Sequence, residues 1–139
     1  MKPPDEALAS LVRQWIAKVE VNYQTAERLV QDDEPIRESI AFHCQQTAEK
    51  YLKAFLVWRH VEFPKTHSIG LLLDLASTVA PELAASLADA ISLTPFGVDI
   101  RYPGDLPELL PGDERTVFDL AERTREAILA QLDPYLSGG

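Results

Sequence analysis

Apolar residues recur at three- and four-residue steps over most of the chain. From Asp5 to Gln31 they fall at Leu8, Leu11, Val12, Trp15, Val19, Tyr23, Ala26 and Val30, which is one stripe of a long helix. Pro3 and Pro4 precede that segment, and Asp5 is placed to cap it. Trp15 lies within the stripe and reads as core. Asp32-Asp33-Glu34-Pro35 breaks the pattern, and Pro35 can open a second helix reaching about His60. Its apolar stripe is Ile40, Cys44, Ala48, Tyr51 or Leu52, and Phe55, with Ala41, Ala48 and Ala54 small enough to let a neighbouring helix approach closely. Its other faces carry Arg37, His43, Gln46, Glu49, Lys50 and Lys53.

After a connector at Val61–Lys65, Thr66 or Ser68 caps a third helix with Ile69, Leu72, Leu73 and Ala76 inward. Pro81 starts a short fourth helix that would bury Leu83, Leu87 and Ile91. Thr94 to Pro111 is rich in proline and glycine and reads as a long loop. Asp113 then caps a last helix, to about Leu136, with Val117, Leu120, Thr124, Ile128 and Leu132 inward. No stretch alternates with a period of two. The expected fold is all-α: an antiparallel helical bundle of about five helices around an up-down, four-helix-bundle-like core. The width of the apolar faces on the long helices points to a homodimer.

Composition narrows the setting. At 139 residues the chain is expected to be a single domain, 1–139. Cys44 is its one cysteine, so no intrachain disulfide and no cysteine-based zinc site can form. The histidines, His43, His60 and His67, have separations of 17 and 7 that match no metal-ligand spacing. The expectation is therefore no metal and no cofactor. The N-terminus lacks the apolar run of a secretory signal and nothing approaches a membrane span, which points to a cytoplasmic protein with no membrane contact. The net charge of -9 opposes a broad grip on nucleic acid. Yet between Pro35 and His67 five bases (Arg37, Lys50, Lys53, Arg59, Lys65) meet three acids (Glu38, Glu49, Glu62), a balance of +2 that leaves -11 for the rest. All three histidines fall in that window, which makes it the place to look for an anion site. The plainer possibility is a mixed, solvated helix face.

The run Phe42-His43-Cys44-Gln45-Gln46-Thr47-Ala48-Glu49-Lys50-Tyr51-Leu52-Lys53-Ala54 resembles the second-helix signature F-H-x-Q-Q-x-x-E-K-x-L-K-A of the HEPN family, the higher eukaryotes and prokaryotes nucleotide-binding domain. Thr66-His67 before an apolar run resembles the T-H-x-L that opens that family's third helix. Arg101-Tyr102-Pro103 resembles the R-Y-P before its last helix. The three pieces stand in the family's order and span most of the chain. The resemblance implies a dimerising bundle of about five helices. It also implies a possible pairing, in a toxin–antitoxin arrangement, with a minimal nucleotidyltransferase. Some members of the family cleave RNA; others are non-catalytic binding or assembly modules.

Metal-independent RNA cleavage needs a base for the 2′-hydroxyl proton and a cation for the phosphorane. HEPN ribonucleases resemble this scheme, with an Arg and a His four to six residues apart near the start of the last long helix. Here Arg101 has no histidine after it, and Tyr102 does not replace the missing His-x-Tyr. Arg37 and His43 have a matching separation, but six helical positions turn about 600°, so the two side chains diverge. His43, Arg37 and Arg101 are the catalytic candidates. His43, Gln46, Lys50 and Lys53 advance by three, four and three and share one face with Glu49 nearby. That face can hold a phosphate or a base edge, or can serve only to pack and pair. With His67, Arg101 and Tyr102 these residues form the expected ligand- or partner-binding set, His67 otherwise bonding locally at a helix start.

Three functions follow from these readings. The first is a nucleotide- or partner-binding module of a pair with a minimal nucleotidyltransferase. The second is an RNA-cleaving, metal-independent endoribonuclease toxin. The third is a purely structural dimeric assembly module.

Overall fold

Helix formation follows the apolar stripes closely, and packing decides where each helix stops. The computed structural model describes residues 4–97 and 104–137. They form α1 (Pro4–Val30), α2 (Arg37–Trp58), α3 (Ile69–Ser77), α4 (Pro81–Ser86), a 3₁₀ segment (Ala88–Gly97) and α5 (Asp113–Ser137). The all-α bundle expected from the sequence is the architecture observed.

Helix α2 is the centre of the molecule. Ile40, Ala41, Cys44, Ala48, Tyr51, Leu52, Ala54, Phe55 and Leu56 are all cut off from water, so both Tyr51 and Leu52 belong to the core. A helix buried on several sides needs neighbours on several sides, and α2 packs against α1, α3, α5 and the 3₁₀ segment. Cross-contacts give the directions. Asn22 meets His43 and Glu20 meets Tyr51, so α1 and α2 are antiparallel. Arg37 meets Glu114 and Trp58 meets Tyr135, so α5 runs parallel to α2. The chain regains the top of the bundle through α3, α4 and the 3₁₀ segment.

The helix ends depart from expectation in informative ways. Helix α2 begins at Arg37, with Ile36 as an N-cap lacking a side-chain bond, so Pro35 lies before the helix rather than opening it. At its other end His60 adopts φ 58°. The amides of His60 and Val61 donate to Val57 and Leu56 carbonyls at 3.2 and 2.9 Å. That is a Schellman ending with a histidine in the left-handed position usually held by glycine. Ser68 caps α3, its Oγ accepting from the Leu71 amide at 3.1 Å.

Three expectations require correction. Thr94–Gly97 belongs to the 3₁₀ segment rather than to a loop, and 98–103 lie outside the described residues. Ile91 is not inward but 47% exposed. A 3₁₀ helix repeats every three residues, and the buried positions are accordingly Leu87, Ala90, Leu93 and Phe96. Trp15 is also not core. It is only partly buried and meets Phe63 edge-on, with ring centres 6.4 Å apart.

Candidate functional site

The polar face of α2 divides into two hydrogen-bonded groups. The first joins α2 to α1. Lys50 Nζ donates to Asn22 Oδ1 at 2.9 Å, and Asn22 Nδ2 lies 3.1 Å from His43 Nδ1. An ammonium has only protons to give, so the amide oxygen must face Lys50 and the amide NH₂ must face His43. His43 Nδ1 is therefore an acceptor, and the neutral ring carries its proton on Nε2. Burial, and secondarily the Lys50 charge, hold the His43 imidazolium below its usual range, consistent with this neutral state.

The second group joins α2 to the start of α3. The buried Glu49 carboxylate accepts from Gln45 Nε2 at 3.1 Å, Lys53 Nζ at 3.1 Å and His67 Nδ1 at 2.8 Å. Burial pushes the Glu49 carboxyl up, but the bonds from Gln45, His67 and Lys53 outweigh it and hold the group below the usual carboxylate range. A carboxylate only accepts, so His67 Nδ1 is the donor. His67 thus reaches across to α2 instead of bonding locally. Gln45 also donates to the His67 carbonyl at 3.1 Å, and its own oxygen accepts from Gln46 Nε2 at 2.8 Å. Gly97 closes over this amide. A Cβ built there would stand 2.3 Å from Gln45 Cδ.

Arg37 takes no part in either group. Its Nε donates to Glu114 on α5 at 2.9 Å, so Arg37 and His43 point to different helices. Arg101 and Tyr102 lie outside the described residues. Cys44 is wholly buried in the apolar core, which pushes its thiol up to about 12. Among the described residues, no three His, Cys, Asp or Glu side chains are arranged to hold a metal ion, and no helix is long and apolar enough to cross a membrane.

Two site residues are missing from the sequence-based set. Asn22 was open to detection as a poor helix former in mid-helix. Gln45 belongs to the Gln-Gln pair of the signature, but only burial distinguishes it from Gln46: Gln45 is fully buried. A third polar group lies deeper, where the Tyr51 hydroxyl donates to Glu20 and Arg125 Nε donates to the same carboxylate at 2.8 Å. Arg125 also lies 4.3 Å over the Tyr23 ring. This group ties α1, α2 and α5 together within the bundle.

Beside the first group an open groove of about 490 Å³ runs between α1 and α2, lined by Leu11, Gln14, Trp15, Lys18, Glu49, Lys50 and Lys53. Burial lowers the Lys50 ammonium from its usual range; Glu49 opposes that shift, and Lys18 and Lys53 add to it.

No curated protein and no solved structure matches the chain. The HEPN domain profile matches residues 12–132, from Val12 on α1 to Leu132 on α5. That span takes in both hydrogen-bonded groups, all of the groove's lining but Leu11 and most of the core, and the chain belongs to the HEPN domain family.

Proposed function

We propose that this HEPN protein is a non-cleaving binding module, engaging a nucleotide or a protein partner, with a minimal nucleotidyltransferase as that partner. The observation that carries the reading is the bonding state of His43. A general base must offer a free lone pair to the 2′-hydroxyl. The Nδ1 lone pair of His43 is already committed to Asn22, and Nε2 carries the proton. Changing the tautomer would break the bond to Asn22 and set two donors face to face. Arg37, the one arginine at ribonuclease-like spacing, is occupied by Glu114. In this state His43 is a hydrogen-bond donor through Nε2–H, a role suited to recognition.

The test is induced expression in a bacterial host, with growth and total RNA followed for wild type and His43→Ala. Unimpaired growth with intact RNA is expected for both. Growth arrest with RNA cleavage, relieved by a folded His43→Ala, would overturn the reading in favour of a toxin. Co-expression with a minimal nucleotidyltransferase from the same source should give one co-eluting complex on size exclusion; separate elution would remove the partner assignment.

A further inference from the structure

Glu49 is a buried carboxylate that serves an exposed ring. Its side chain is 4% exposed, whereas the His67 side chain bonded to it is 63% exposed. Taking a charge out of water is costly, and a neutral glutamine at position 49 could accept the same Nδ1–H. Gln45, Lys53 and His67 all donate to the carboxylate, and Gly97 closes over Gln45, so the acceptor is pinned. With the His67 proton fixed on Nδ1, the lone pair of the neutral ring lies on Nε2. Nε2 has no hydrogen-bond partner among the described residues. An imidazole oriented through one nitrogen by a carboxylate, and open at the other, is arranged as a nucleophile. The other two histidines lack this arrangement. His43 carries its proton on Nε2. His60 is exposed as well, but its ring makes no bond among the described residues.

The surroundings select the electrophile. Glu49 and Lys53 line the groove between α1 and α2 together with Lys18 and Lys50, a local balance of +2 in a chain that carries -9. Lys53 Nζ sits on the second oxygen of the Glu49 carboxylate, at 3.1 Å. Such a cluster draws an anionic reactant, which favours a phosphoryl donor over a neutral acyl donor. We infer that His67 Nε2 accepts a phosphoryl group from a small acyl phosphate. The Nε2 lone pair forms the bond to phosphorus while the bond from phosphorus to the acyl oxygen breaks. The carboxylate leaves with that electron pair, and no proton has to move. The ring keeps its Nδ1 proton and becomes cationic, against the negative charge of Glu49. Glu49 is thus a positioning residue, and His67 is a modification site additional to the binding function proposed above.

The experiment is incubation of the full chain with acetyl phosphate at neutral pH. Phosphorus NMR follows the N-phosphoryl signal, and tandem mass spectrometry places it and separates it from lysine acetylation by the same reagent. Phosphorylation at His67 is expected at least tenfold faster than at His60 or His43. His67→Asn should abolish the fast signal, and Glu49→Gln, folded by circular dichroism, should slow it toward the His60 rate. Nitrogen NMR of the neutral wild-type ring should show the proton on Nδ1. A His67 rate no greater than that of His60 would overturn the proposal, whether or not Glu49→Gln folds. An unchanged rate in a folded Glu49→Gln, or a wild-type ring protonated on Nε2, would equally overturn it. The growth, RNA and co-elution assays read the binding-module proposal separately.

Discussion

Replacing Gly97 with alanine tests whether the Gln45–Glu49–His67 group fixes the packing of α2 against the 3₁₀ segment. The added methyl would lie 2.3, 2.4 and 2.5 Å from Gln45 Cδ, Nε2 and Oε1. Ordinary carbon contacts lie at about 3.5–4.0 Å, so the amide must move by more than about 1 Å. A surface glutamine would swing away at little cost. Gln45 is fully buried and its amide serves three bonds: to Glu49, to the His67 carbonyl and from Gln46. A net hydrogen bond is worth about 1 kcal/mol, and a buried polar group left unpaired costs about 1–3 kcal/mol. Displacing the amide should therefore destabilise the protein by about 2–4 kcal/mol. For a chain of this length that lowers the thermal midpoint by about 10 °C. Circular dichroism melts measure it. Gly104→Ala is the contrast: φ is +92° and nothing lies within 4 Å, so only the backbone cost of about 1 kcal/mol applies. The double variant Gln45→Ala with Gly97→Ala removes the obstacle and should cost at least about 1 kcal/mol less than the two single changes added together. A Gly97→Ala midpoint within about 2 °C of wild type, or strict additivity in the cycle, would refute the reasoning.

His60 holds a left-handed conformation at an exposed position, φ 58°, so His60→Gly should stabilise the protein by about 1 kcal/mol, read as a raised denaturation midpoint. The histidine at the site gives a pH dependence of definite sign. His43 has its pKa lowered in the fold from 6.5, so the unfolded chain binds more protons below that value and stability falls as pH drops through 6.5 toward the folded pKa. Glu49, also lowered, from 4.5, contributes stability that is fully present above 4.5 and lost as pH falls through its folded pKa. Asn22→Asp places a carboxylate between Lys50 and His43, which raises the His43 pKa and flattens the upper of these two losses; imidazole proton shifts and urea titrations across the pH range measure both. An unmoved His43 titration in Asn22→Asp would show that the ring does not meet residue 22.

How far the sequence carried the fold depends on periodicity. Where a helix keeps the 3.6-residue repeat, as in α1, α2 and α5, the apolar steps located it and named most of its buried side. The 3₁₀ segment defeated that reading because its repeat is three. Leu83, Leu87 and Ile91 fit an α-helical stripe, whereas Leu87, Ala90, Leu93 and Phe96 fit the structure, and Pro95 and Gly97 look like loop. The polar residues were legible by position but not by partner. Steps of three, four and three put His43, Gln46, Lys50 and Lys53 on one face, yet Gln46 and Lys53 bond within the Gln45–Glu49 group while His43 and Lys50 turn to Asn22. Nothing local to α2 encodes Asn22, because its role depends on how α1 lies against α2.

The groove also poses a question of stability against recognition, and Lys18 separates the two. Gathering Lys18, Lys50 and Lys53 around a partly buried ammonium works against folding, since each like charge near Lys50 disfavours its charged form. A purely structural face would do as well with a neutral side chain at position 18, which makes no hydrogen bond or ion pair among the described residues. Lys18→Ala should therefore leave the denaturation midpoint unchanged or slightly raised, because it relieves repulsion at a solvent-exposed site where effects rarely exceed about 0.5 kcal/mol. The same change should raise the Lys50 pKa. If Lys18→Ala instead destabilised the chain, Lys18 would be part of the scaffold, and the charge imbalance in the groove would lose its functional meaning.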